Sequence, residues 1–247
     1  MSWDIRRGLP FPDATIDACY ASHVVEHLRP IEAHNLLGHM HRVLRPGGTV
    51  RLVVPDLEGI ARAYLDALGR VIAGEPGALS DHAWMVLELY DQMVRESGGG
   101  EMARFLKQPD LENRDFIASR IGSEARANWT PVAVSRTGIL SRLRALRARV
   151  AIDRARTLVS AWVLRLVGGS SAAGAFAQGL ARRSGEIHLA MYDRVSLKRL
   201  LEGHGFREIK RCAATESRIP DFAKYGLDSA DGEVLKPDSL YMEGVRP

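Results

Sequence analysis

Cysteine is scarce in this chain of 247 residues, which contains only Cys19 and Cys212. The two lie far apart, and the sequence has neither a CxxC pair nor a cluster of cysteine and histidine. It therefore predicts no disulfide framework and no metal site. Because unpaired cysteines suit a reducing compartment, we expect a cytoplasmic location.

Long apolar runs are also lacking. The N-terminus does not have the hydrophobic centre of a signal peptide. The most apolar later stretch, 158–166, contains Arg165 and is soon followed by Gly168-Gly169, and its short length predicts no membrane span. With 46% hydrophobic and 26% charged residues, the composition is ordinary for a globular protein.

The net charge is small but unevenly distributed. A formal charge of +4 gives no indication of a nucleic-acid binder. Between 136 and 183, however, a single acid, Asp153, stands among ten arginines: Arg136, Arg142, Arg144, Arg147, Arg149, Arg154, Arg156, Arg165, Arg182 and Arg183. This segment indicates either a solvated helix face or a peripheral contact with an anionic surface, such as membrane headgroups or an acidic substrate.

Residues 1–57 alternate between strand and helix patterns. The apolar run 16–21 predicts a buried strand. Pro30 suits the first turn of the next helix, and 46–48 (Pro-Gly-Gly) ends it before the β-branched strand 49–54. One face of this helix is apolar, with Leu36, Leu37, Met40, Val43 and Leu44 at helical spacing.

The remaining chain divides into two parts. Residues 58–185 have a mainly helical pattern with glycine-rich breaks, and we interpret them as a helical insertion. Residues 186–247 return to α/β, with a helix over 195–201 and strands over 206–212 and 239–245.

Three segments of residues 3–57 follow one another in a recognisable order. Asp4 precedes Leu9-Pro10-Phe11, then come His23-Val24-Val25-Glu26-His27-Leu28 and Arg42-Val43-Leu44-Arg45-Pro46-Gly47-Gly48. Together they resemble the class I S-adenosylmethionine-dependent methyltransferases, specifically the small-molecule, type 11-like group. A weaker resemblance to the same family covers residues 186–247. The resemblance to this family implies a Rossmann-like α/β fold and methyl transfer from S-adenosylmethionine.

The resemblance also implies where the cofactor binds. In an open α/β sheet, ligands lie beyond the carboxyl ends of the strands. Asp4 would accept a hydrogen bond from the adenine amino group, while Leu9 and Phe11 pack nearby. Ser22 and His23 would follow a strand and face the sulfonium and its methyl group.

Two further groups of residues concern the acceptor. His23 and His27 are the candidate catalytic bases, because histidine titrates near neutrality and a hydroxyl or amine acceptor must lose a proton. His188 and Tyr192 are candidates for the substrate side, with packing and capping of the next helix as the alternative.

One expected part of the family pattern is missing. A class I methyltransferase opens with a strand and a glycine-rich loop, which have no counterpart before residue 3. The family strand order is 3-2-1-4-5-7-6, so we expect 4-5-7-6 here, with an unpaired edge at strand 16–21. We therefore interpret the chain as an N-terminally truncated sequence or as one whose edge is covered by another copy or a partner chain.

Several functions are compatible with these patterns. The first is a methyltransferase acting on a small-molecule or glycan/lipid-linked acceptor, with the helical insertion as a lid. The second is a catalytically inactive methyltransferase-like remnant or partner subunit in an assembly. A nicotinamide enzyme is disfavoured because no GxGxxG opens the chain. A specific nucleic-acid methyltransferase is disfavoured because no base-flipping motif follows strand 16–21.

Overall fold

The computed structural model describes residues 3–96, 98–129, 148–182 and 185–247. Its strands are β1 (Ile16–Ser22), β2 (Leu44–Pro55), β3 (Arg207–Cys212), β4 (Ser229–Ala230), β5 (Glu233–Val234) and β6 (Ser239–Val245). Its α-helices are α1 (Pro30–Val43), α2 (Leu57–Ile72), α3 (Ala78–Val94), α4 (Gly100–Leu106), α5 (Arg114–Ile121), α6 (Ser123–Trp129), α7 (Ala148–Arg182) and α8 (Arg194–Gly203). Short 3-10 helices cover Ile5–Arg7, Val25–His27 and Phe222–Tyr225.

Within the described residues, the main sheet has four strands in the order β1-β2-β6-β3. β1 and β2 are parallel, whereas β6 runs antiparallel to both β2 and β3. In the strand numbering of the family that the sequence resembles, this is the predicted order 4-5-7-6. The chain is thus a mixed α/β protein with a Rossmann-like methyltransferase sheet.

The core lies where helices cover one face of this sheet. The predicted apolar face of α1 is buried, and α8 contributes Leu197 and Leu201 beside it. Both helices pack against Val50, Leu52 and other alternate residues of the central strands. Because β2 and β6 are each paired on both sides, most of their residues are buried, and for β2 this agrees with its β-branched sequence.

The strand β2 begins at Leu44, earlier than the predicted 49, so the glycine pair lies near its start and is required there by geometry. Gly47 has φ +81°, which L side chains rarely adopt. At Gly48, a Cβ atom would lie 2.8 Å from the carbonyl oxygen of Arg45. These two positions therefore allow the chain to turn from the helix into the sheet.

The segment after β2 forms a second core. Helices α2 to α6 surround Trp84, which is fully buried together with Met85 and Ile117. The predicted helical character of this segment agrees with the structure, whereas the domain limits 1–57, 58–185 and 186–247 stay a prediction.

Helix α7 differs from the other helices because its apolar side chains face outward. Leu158, Trp162 and Val167 are 71%, 63% and 85% exposed. Within the described residues, its segment Arg156–Leu180 is long and apolar enough to be a candidate membrane span, with a mean hydropathy of 1.2, although the sequence predicts none. Gly169 interrupts the helix with φ +73° and ψ −173°. Two parts of the arginine-rich segment, 136–147 and Arg183, lie outside the described residues.

The outer edge of β1 is the exposed margin of the sheet. Among the strands that the structure describes, β1 pairs with β2 alone. An apolar cavity of about 390 Å³ runs along this edge. We call it the edge cavity; it is lined by Ile5, Leu9, Phe11, Ile16, Ala18, Cys19, Tyr20, Ala21, Ser22, Val24, Leu36, Met40 and Val43.

Arg51, at the centre of β2, is a fully buried cation. Its Nε donates to Asp228 over 2.7 Å and its Nη1 donates to Glu243 over 2.8 Å. The guanidinium also donates to three backbone carbonyls within 213–216 and lies 4.6 Å from the centre of the Phe222 ring. Burial works to lower the pKa of Arg51, but the two carboxylates outweigh it and raise that pKa.

We predict that Arg51→Met lowers the free energy of unfolding by about 3–5 kcal/mol, because it leaves two buried carboxylates without their cation. Urea denaturation measures this loss. Arg45→Met is the matched control, since Arg45 pairs with Asp17 over 2.6 Å at the surface and should cost less than about 1 kcal/mol. Similar losses in the two variants would contradict the role assigned to Arg51.

Candidate functional site

The candidate site lies at the carboxyl ends of β1 and β2. His23 directly follows β1, and its backbone N–H donates to the Val53 carbonyl over 2.9 Å. Its φ of +52° is unusual for a residue with a side chain. Such backbone strain persists where surrounding contacts hold it, often at functional sites.

Both ring nitrogens of His23 have neighbours. Nδ1 lies 3.1 Å from Oε1 of Glu26, and Nε2 lies 3.1 Å from Oγ of Ser239 at the start of β6. The first contact has the distance of an ion pair but not the angles of a hydrogen bond, since both Glu26 oxygens lack a hydrogen-bond partner. These neighbours fix the orientation of the ring.

One ring nitrogen of His27 has a hydrogen-bond partner, and the other has none among the described residues. Nδ1 lies 3.1 Å from the carbonyl oxygen of Ile187, which can only accept, so Nδ1 carries the proton. In the neutral ring, Nε2 then holds a lone pair. The ring packs edge-on against His188, with 4.7 Å between ring centres.

His188 is almost fully buried, with 4% exposure. Burial lowers its pKa to about 4, mainly because the charged ring is removed from water. Hydrogen bonds hold the backbone after His188 against Glu26, since the N–H groups of Leu189 and Ala190 both donate to the Glu26 carbonyl.

A larger cavity connects several of these residues to the N-terminal loop. This cavity, which we call the rim cavity, has a volume of about 710 Å³. It is lined by Ile5, Arg6, His23, Val24, His27, Leu28, Arg29, Glu32, Arg182, Gly185 and Leu189. It shares Ile5 and Val24 with the edge cavity, so the two cavities adjoin.

Asp4 lies beside the rim cavity, directly before the lining residues Ile5 and Arg6. Its carboxylate caps the 3-10 helix Ile5–Arg7 by accepting from the Arg6 backbone N–H over 3.1 Å. It also accepts from Arg6 Nε over 2.9 Å, and hydrogen bonds with Arg6 lower its pKa. A new ligand would therefore share this carboxylate with Arg6.

The other predicted cofactor residues are divided between the two cavities. His23 lines the rim cavity, whereas Leu9, Phe11 and Ser22 line the edge cavity. The assignments to S-adenosylmethionine stay predictions, but both cavities are within one continuous region of the surface.

The predicted substrate residues occupy different positions. His188 lines a third cavity of about 470 Å³, which we call the helical cavity, together with His23 and His27. Tyr192 instead packs against the core, and its carbonyl accepts from the Leu57 N–H over 3.0 Å. Burial raises the pKa of its hydroxyl. Its substrate role stays a prediction.

The sequence interpretation did not assign Glu26 a functional role, although its carboxylate is fully buried between the three histidines. It also missed Gln92, Arg95 and Lys236, which line the helical cavity from elements far away in the chain. The position of Glu26 between His23 and His27 was the one available signal. The others had no sequence signal, because only folding brings them together.

Comparison with known proteins gives one match. The family described as "methyltransferase domain" matches residues 3–52, about a fifth of the chain. The matched segment contains β1, α1 and most of β2, together with His23 and His27. Neither a curated protein nor a solved structure matches the chain significantly.

We predict that Asp238→Asn raises the free energy of unfolding at pH 7, and that the gain shrinks toward pH 4. Burial, followed by repulsion from Glu88, raises the pKa of Asp238 from 3.8 to about 6. The folded state therefore opposes ionisation, and this penalty develops as pH rises from about 4 to 6.

Urea denaturation of the variant and the unmodified protein at several pH values measures how the difference in their free energies of unfolding changes with pH. Asp17→Asn is the control, because it makes the same change in net charge at the surface and breaks only an exposed pair with Arg45, which contributes less than about 1 kcal/mol. A gain that does not change between pH 4 and pH 7 would contradict the assignment.

Proposed function

We propose that the protein transfers a methyl group from S-adenosylmethionine to a small-molecule or glycan/lipid-linked acceptor, because residues 3–52 match the family of methyltransferase domains. The observation that carries the proposal is the rim cavity. It brings the loop after Asp4 to His23 and His27, at the carboxyl ends of two parallel strands. That is where ligands bind in open α/β sheets.

The side chains around the two adjoining cavities are compatible with such a cofactor. The Asp4 carboxylate keeps lone pairs beyond those that Arg6 uses, so it can still accept from an adenine amino group. Leu9 and Phe11 give the edge cavity an apolar wall suited to a planar base. When bound, the cofactor supplies a methyl group already activated by its sulfonium.

The protein then contributes mainly alignment and exclusion of water. Holding two reactants in a productive geometry can lower a barrier by about 7–11 kcal/mol. If the acceptor is a hydroxyl or an amine, a base takes its proton. His27 is better arranged for this than His23, since its Nε2 is free of hydrogen bonds to the described residues, whereas both His23 nitrogens have close neighbours.

The exposed apolar face of α7 favours the lipid-linked class of acceptor. Trp162 and Val167 are largely exposed, and Arg165 and Arg182 lie on the same helix. Apolar side chains with arginines are typical of helices that lie at an anionic membrane surface. Because Arg182 also lines the rim cavity, a membrane-bound acceptor would meet the site at this helix.

An inactive remnant or partner subunit is the second candidate. The observation that favours it is the close pairing of Asp4 with Arg6, which already uses part of the carboxylate expected to hold adenine.

We further propose a cytoplasmic location and a covered β1 edge, with a second copy or a partner chain pairing there.

We predict that the chain binds S-adenosylmethionine and that Asp4→Ala weakens binding at least about tenfold, because a hydrogen bond to a charged group contributes roughly 1.5–3 kcal/mol. Isothermal titration calorimetry measures this, and light scattering on the same sample gives the oligomeric state. Asp17→Ala is the control, since Asp17 is also an exposed partner of an arginine.

Unchanged affinity in Asp4→Ala would remove Asp4 from the binding site. If the unmodified protein shows no binding at about 1 mM cofactor, the enzyme proposal fails for this chain and the inactive alternative is favoured.

We predict that the protein cosediments with vesicles containing phosphatidylglycerol and that Trp162→Glu weakens this at least about tenfold, because it puts a charge on the apolar face. Binding should also fall as salt is raised. Ile72→Glu is the control, since Ile72 is 78% exposed on α2. Equal effects of the two substitutions would remove α7 as the contact surface.

A further inference from the structure

Three side chains beside the rim cavity form a cluster that methyl transfer as proposed does not require. Glu26, His27 and His188 each place one potential ligand atom within 4.8 Å of the other two. Glu26 and His188 are buried, and His27 is partly buried. Two imidazoles and one carboxylate are a set of ligands that binds Zn²⁺ and related divalent ions in proteins.

Three buried polar atoms of this cluster lack hydrogen-bond partners in the described part of the chain, although Glu26 Oε1 lies 3.1 Å from Nδ1 of His23. Both carboxylate oxygens of Glu26 and Nδ1 of His188 are without a hydrogen-bond partner among the described residues. Leaving such a group unsatisfied typically costs about 1–3 kcal/mol, and more when it is charged. A cation between these atoms would satisfy all three at once.

The cluster is also held in place before any ion arrives. Two backbone N–H groups of the 187–190 segment donate to the Glu26 carbonyl, and the His188 N–H donates to the Gln92 carbonyl over 2.9 Å. His27 donates its Nδ1 proton to the Ile187 carbonyl. A histidine that ligates a metal commonly donates its other ring N–H in this way, which leaves Nε2 as the ligand atom.

From this geometry we propose that Glu26, His27 and His188 bind one divalent transition-metal ion of the Zn²⁺ class. Three protein ligands leave a tetrahedral ion one open position, the pattern of catalytic rather than structural sites. His27 and His188 both line the helical cavity, so that position would be accessible to a ligand there.

Two nearby cations, Arg95 and Lys236, oppose the ion. Arg95 lines the same cavity, and its Nε lies 3.8 Å from Oδ2 of Asp91. The Glu26 carboxylate offsets part of this repulsion, because it is a direct ligand in a site with little water.

The ion has a consequence that rests on the proposed function. Bound there, it would coordinate an oxygen of the acceptor and make its hydroxyl easier to deprotonate, and the proton would pass to water in the helical cavity. His27 would then act as a ligand instead of a base. Metal binding itself does not depend on this step, nor on cofactor binding.

The test is binding of Zn²⁺ to the full chain after treatment with a chelator. Calorimetry should give one ion per chain, and Co²⁺ in its place should give the visible absorption of a tetrahedral site. Glu26→Gln, His27→Gln and His188→Gln should each weaken Zn²⁺ binding at least about tenfold. Circular dichroism shows whether each variant is folded.

His34→Gln is the matched control, because His34 and His204 form a separate surface pair with 2.9 Å between ring nitrogens. Loss of binding in this variant alone would place the ion there and overturn the proposal. So would a dissociation constant of about 1 mM or weaker in the unmodified protein. The Co²⁺ spectrum needs no variant, so it decides the case even if a substitution prevents folding. Cofactor titration of the same variants separates failure of this site from failure of methyl-donor binding.

Discussion

The buried charge of Arg51 constrains much of the sheet. A guanidinium without water must keep its anionic partners, and here they lie in β6 and in the segment before β4. Arg51 stands opposite Glu243 in the β2–β6 register, and the same register places Ser239 opposite Pro55. The ion pair thus helps to position Ser239 beside His23. A contact in the middle of the sheet and the geometry of its rim are consequently linked.

The helical part of the chain is joined to this rim through backbone contacts. After α7 the chain returns along 187–192, where its N–H groups donate to the carbonyls of Gln92 and Glu26. Tyr192 continues this path with a bridge to Asp56, directly before α2. The segment therefore contacts both the sheet and the second core, so His188 reaches the site although it is distant in sequence.

The sequence predicted the sheet well and the chemistry of its rim less well. Strands such as 239–245 and the apolar face of α1 have regular spacing, and the family pattern supplied the strand order. The partners of Arg51 could not be foreseen, because they are more than 150 residues away. Glu26 and His188 have no shared pattern either. Asp193, the residue after Tyr192, caps α8 by accepting from the N–H groups of Val195 and Ser196.

The break at Gly169 changes what the apolar helix α7 can do. It divides the apolar segment Arg156–Leu180 of α7 into two apolar rods, each only about 20 Å or less in length at 1.5 Å per residue. The hydrocarbon layer of a bilayer is about 30 Å thick, so neither apolar rod crosses it alone. Two short rods joined by a bend can instead follow the plane of a lipid leaflet. A protein attached in this way could detach again without extracting a buried segment.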